Sequence, residues 1–178
     1  MLDTQVIASS ANVASETELL NKKYQQKELA SIANVSRSSI GHYKTGERNM
    51  PADVMQSLTN SLNENIVARK MLSSFSRYVV PFADRIEVHP LIFSVIAEKE
   101  EREEEAHAEK VAPLLAKIKE DIRPQEKTEI KNYISELLDS VFIDNSLLAT
   151  ICDYYGFNLA NLIEERSSIW REAGYLMK

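Results

Sequence analysis

Apolar residues recur along most of this chain in steps of three and four, the spacing of amphipathic helices. Residues 1–14 carry little pattern and read as an arm or as the start of the first helix. Ser15 with Glu18 forms a capping box ahead of Leu19 and Leu20, which predicts a helix over about 16–24. A second helix is expected from Gln26 to about Ala33, and a third from Arg37 to about Lys44, with Gly46 ending it. Pro51 marks the start of a fourth, over 52–63, with Val54, Leu58 and Leu62 on one stripe. Asn63, Glu64 and Asn65 make a break. A further helix, about 66–79, carries Met71, Leu72, Phe75 and Val79, and either closes the first domain or begins the next. Pro81 and the segment DRIEVHP, ending at Pro90, read as an irregular connection. Residues 91–122 form one long helix or two that meet near Pro113, since a proline inside a helix disrupts it. Pro124 opens another, with Ile130, Ile134, Leu137, Leu138 and Val141 as its expected buried stripe. Asp144 or Asn145 is expected to cap a helix that runs through Tyr155 and stops at Gly156, and a last helix spans about 158–173. The fold class is therefore all-α, divided as 1–66, a connecting helix and linker over 67–90, and a helical 91–178.

Residues 26–45, QKELASIANVSRSSIGHYKT, are the most informative stretch. Leu29, Ala33, Val35, Ile40 and Tyr43 fall on the inward sides of two helices, and the small Ala30 allows them to cross closely. Asn34 stands where the connecting turn needs a positive φ, which Asn tolerates better than other non-glycine residues. Val35 fills the gap between the helices, Ser36 is a suitable N-cap for the second, and Glu28 complements the dipole of the first. The outward residues Arg37, Ser38, Ser39, His42 and Lys44 are short, polar or cationic. A helix anchored by one face that offers donors on the other is what reading base edges in the major groove requires.

These residues, with HYKTGERNMP and the amphipathic DVMQSLTNSLN after them, resemble the lambda-repressor-like (Cro/cI, XRE-type) helix-turn-helix family over residues 26–62. Asn34 departs from the family's usual glycine, and Leu19 and Leu20 lie closer to the second helix than is usual. The resemblance implies a role for each matching residue. Gln26 would bond a phosphate and brace the recognition helix. Arg37, Ser38, Ser39 and His42 would face base edges or the flanking backbone, with Arg37 suited to a bidentate contact to guanine. Lys44, Thr45 and Arg48 would contact phosphates, which position the protein without reading sequence.

Composition narrows the picture further. The net charge is −6, an unusual balance for a partner of DNA, but the charge is unevenly spread. Residues 21–50 carry six cations against two acids, and residues 70–178 carry fourteen against twenty. Duplex DNA responds to potential within about 8 to 10 Å, so the local basic stretch matters more than the total. Four glycines and five prolines among 178 residues suit a helical chain, and no stretch approaches a membrane span. The start of the chain lacks a basic, then apolar, signal pattern. The lone Cys152, in an apolar helix, reads as a buried small side chain, and a cytoplasmic location is expected. The charged run EKEEREEEAHAEK reads as a solvated helix face rather than a docking surface.

Enzymatic signatures are missing. There is no glycine-rich phosphate loop or HExxH, and His42, His89, His107 and Cys152 lack metal-ligand spacing. No catalytic residue, metal or cofactor is expected. The helical C-terminal half does not match the β-rich Ser/Lys protease of self-cleaving repressors of this broad class, so self-cleavage is not expected either. The reading is a sequence-specific DNA-binding regulator, a repressor of bacterial, phage or mobile-element type, acting as a homodimer through its C-terminal half. The alternative is a protein-interaction adaptor, an antitoxin or antirepressor, whose helix-turn-helix serves autoregulation. The segment LLATICDYYGFNLANLIEER reads as a helical hairpin, with Tyr154, Tyr155, Phe157 and Trp170 either core or anchors for a protein partner.

Overall fold

A computed structural model describes residues 8–76, 78–83 and 89–177. Their elements are β1 (Ser10–Ala11), α1 (Ala14–Lys23), α2 (Gln26–Ile32), α3 (Arg37–Thr45), β2 (Met50–Pro51), α4 (Ala52–Ser61), α5 (Asn65–Phe75), α6 (Pro90–Leu115), α7 (Pro124–Tyr155) and α8 (Leu159–Glu172). Helices take up 74% of the described residues, so the chain is all-α. Two compact units form: the described residues up to Pro81 together with those from Ala149 onward, and Phe82–Leu148.

The first unit is built on α1 to α5. Leu29, Ile40, Met50 and Met71 lose all exposure in one core, which Leu20, Tyr43, Val54 and Leu58 extend. Val67, Met71 and Phe75 join it, so α5 closes this domain, and it stops at Phe75 rather than Val79. The two-stranded ribbon sets Ser10 opposite Pro51 and Ala11 opposite Met50, which ties the start of the described chain to the loop after α3. The helix α1 begins one residue before Ser15, which therefore lies inside its first turn and caps nothing; Asn12 Oδ1 accepts from the Ala14 amide instead. The capping box belongs to α2, where the Gln25 side chain accepts from the Glu28 amide and Glu28 Oε2 accepts from the Gln25 amide at 2.7 Å.

The chain returns to this unit after Ala149. Asp153 accepts from the amides of Asn65 (3.0 Å) and Ile66 (3.2 Å), so a carboxylate at the end of α7 caps the start of α5. The buried Asn65 donates to Asp153 and to the Phe157 carbonyl and accepts from the Leu159 amide, which uses both donors and one of the two acceptor positions of its side chain. Beside it, the buried Glu64 accepts from Lys23 Nζ (2.6 Å) and the Tyr24 hydroxyl (3.0 Å). Hydrogen bonding to Glu64 raises the Lys23 pKa, while burial, then Glu64, raises that of Tyr24.

In the second unit α6 runs through Pro113 and ends two residues later, at Leu115, so the proline disrupts only the end of the helix. Its charged middle is mostly exposed, as expected, with Lys99 bridging Glu100 and Glu103. Phe93 and Val111 are fully buried, and the Phe82 ring packs at 6.4 Å from that of Phe93. After a 3₁₀ turn at Lys119–Asp121, Glu126 secures the start of α7: its Oε2 accepts from the Arg123 amide, and its Oε1 takes Arg123 Nη2 and Lys117 Nζ.

Two expectations for α7 are corrected. It does not restart at Asp144 or Asn145 but runs through both, since an interior Asn or Asp costs only about 0.7 kcal/mol of propensity. The expected buried stripe is also displaced: Ile134, Leu138 and Val141 stay 42–52% exposed, while Ser140, Ile143, Ser146, Ala149 and Thr150 face inward. The smaller residues make the close contact, as where Ser146 Oγ accepts from the Ala83 amide. Residues 84–88 of the expected connection and residues 1–7 of the arm lie outside the described residues.

Candidate nucleic-acid interface

The geometry of α2 and α3 follows from residues that act within a turn or two. Asn34 has φ 50°, so the chain reverses at that residue, and the Val35 amide bonds back to the Ala30 carbonyl. Ser36 caps α3: its Oγ accepts from the Ser39 amide at 3.0 Å and lies 2.8 Å from the hydroxyls of both Ser38 and Ser39. Gly46, at φ 74°, ends the helix. Ile40 and Tyr43 are buried against the core, which leaves Arg37, Ser38, His42, Lys44 and Thr45 exposed, with Ser39 partly so. Arg48 is exposed in the loop that follows, its amide bonded to the His42 carbonyl.

Residues 17–67 match a helix-turn-helix family model of the Cro/cI, XRE type. The matched helix-turn-helix is a DNA-binding fold, and it takes in α2, α3 and α4 whole and most of α1. No curated protein and no solved structure matches the chain.

Within the helix-turn-helix, Gln26 Nε2 donates to the Arg37 carbonyl at 2.8 Å, so the first residue of α2 holds the first residue of α3. Two further features of the site escape a reading of the sequence by pattern. Gly41 sits mid-helix, and a Cβ there would lie 2.9 Å from Gln26 Nε2. A glycine inside a helix costs about 1 kcal/mol against alanine, and that cost is the signal that something approaches closely. Glu47 is the second: its Oε2 lies 2.6 Å from His42 Nδ1, so the one imidazole on this face is tied to an acid. Thr45 Oγ1 donates back to the His42 carbonyl, which partly occupies its hydroxyl. Seven of the eight candidate residues thus lie on α3 or in the loop after it, and Gln26 braces α3 from α2, with Arg37, Lys44 and Arg48 as the exposed cations of the set.

Among the described residues no group of side chains is arranged to hold a metal ion, and no helix is long and apolar enough to cross a membrane. Cys152 is buried, and burial raises its thiol pKa.

Proposed function

We propose that the protein is a sequence-specific transcriptional repressor of bacterial, phage or mobile-element type, working in the cytoplasm. The observation that carries this reading is α3, anchored by Ile40 and Tyr43 and braced by Gln26, with Arg37, Ser38 and His42 on its outer face. Arg37 at its first position reads a base edge, with Ser38, Ser39 and His42 beside it. Lys44, Thr45 and Arg48 bind phosphates on the flanking backbone. A single recognition helix makes few base contacts, so the acting form is a homodimer on an inverted repeat, with half-sites about 34 Å apart. The row Ile134, Leu138, Val141 and Leu148, exposed and in heptad spacing with Asn145 among them, supports pairing through the C-terminal half, since one polar core position fixes register.

Selection of bound duplexes from a random library, with Arg37→Ala in parallel, tests the proposal. An enriched inverted repeat that the variant no longer prefers is the expected result. No enrichment at low salt by folded protein overturns it. The second reading, an antitoxin-like or antirepressor adaptor, draws on the exposed Tyr154, Tyr155 and Phe157, and gains if a protein partner is retained where DNA is not.

A further inference from the structure

The first unit holds a cavity of about 110 Å³ between α4, α5 and the first turn of α8. Leu62, Ala68, Leu72 and Ile163 form much of its wall, and Arg69 is the one basic side chain that lines it. A narrow apolar cleft beside Leu58, Val67 and Met71 shares Leu62 and Ala68 with it. The guanidinium of Arg69 is partly buried and makes no hydrogen bond or ion pair with any described residue. Burial lowers its pKa, and no carboxylate among the described residues opposes that shift. Glu64 lines the same cavity, but Lys23 and Tyr24 already engage both of its oxygens. A partly desolvated cation without a counter-ion is costly unless something pairs with it. Its planar fork matches a carboxylate in two parallel hydrogen bonds.

We propose that this cavity binds a small aliphatic monocarboxylate, its head paired with Arg69 and its tail against Leu62, Leu72 and Ile163. The walls are too apolar, and the donors too few, for a phosphate dianion. The volume suits a short tail, since a cavity of about 150 Å³ accepts benzene. The site stands whether or not α3 reads DNA.

Isovalerate, its neutral amide isovaleramide and inorganic phosphate are titrated separately into the ¹⁵N-labelled full chain, with backbone amide shifts as the readout. Saturable shifts at Ala68, Leu72, Asn158 and Ala160 with isovalerate alone are expected. Arg69→Gln should weaken that binding about tenfold or more. Ala68→Leu, which narrows the cavity and leaves the guanidinium in place, should do the same, and unchanged shifts elsewhere establish that both variants fold. Equal binding of the amide, equal binding of phosphate, no saturation, or full affinity in Arg69→Gln would each overturn the proposal.

Discussion

Arg37, Gln26 and Gly41 form one mechanical unit where the first residue of α2 braces α3. Arg37 is exposed while its carbonyl is held by Gln26, so its side chain is free to reach a base from a fixed backbone. Arg37→Ala should relax preference at one base pair per half-site by about 1–3 kcal/mol, read by competition between operator variants, with no change in melting temperature. An alanine at Gly41 would press on the Gln26 amide, so Gly41→Ala should weaken operator binding severalfold while helix propensity holds stability level or raises it. Unchanged affinity in that variant would mean that the Gln26 contact does not position α3. Asn34 carries a positive φ that a β-branched residue rarely adopts, so Asn34→Val should cost about 1–2 kcal/mol in urea unfolding. These residues were legible in the sequence where their effect is local: the turn, the cap and the inward apolar positions. Gly41 and Glu47 were not, because their partners depend on how α2 and the loop after α3 sit against α3.

At the scale of elements, the start of α7 depends on charge. Hydrogen bonds from Arg123, then Lys117, lower the Glu126 pKa to about 2 from an ordinary value of 4.5. A carboxyl with a depressed folded pKa stabilises the fold above its unfolded pKa, and that contribution fades as pH falls through the folded value. The link between α6 and α7 should therefore loosen between about pH 4.5 and pH 2. A carboxyl-carbon NMR titration with a Glu126 midpoint near 4.5 would contradict this. The expected restart of α7 at Asn145 failed because a weak local preference cannot break a helix that packing supports on both sides. Its expected stripe failed for a related reason: this helix is apolar on more than one face, and periodicity does not say which face meets a neighbour.

For the whole molecule, the segment after Ala149 belongs with the helix-turn-helix unit rather than beside it. Asp153 bonds to Asn65 across 88 positions of sequence. Asp153→Ala strips three acceptor contacts from the start of α5 and should destabilise this unit by about 1–3 kcal/mol, seen as earlier loss of amide protection in α5 than in α6. Equal loss in both helices would argue against a local role. Operator affinity should also fall with salt: two phosphate-binding cations per copy, Lys44 and Arg48, give a log–log slope of about −4 for a dimer. A flat dependence would count against phosphate contact. The sequence by itself determined the helical class, the turn at Asn34, the cap at Ser36, the stop at Gly46 and the two faces of α3. Each of these is decided by residues within one or two helical turns, where sterics and hydrogen bonding leave few choices. Only the tertiary structure decided that α5 completes the first core, which face of α7 is buried, and that the chain returns through Asp153 and Asn65 beside a cavity where Arg69 has no partner among the described residues. Those outcomes depend on groups far apart in sequence, whose burial and pairing are settled only when the elements pack.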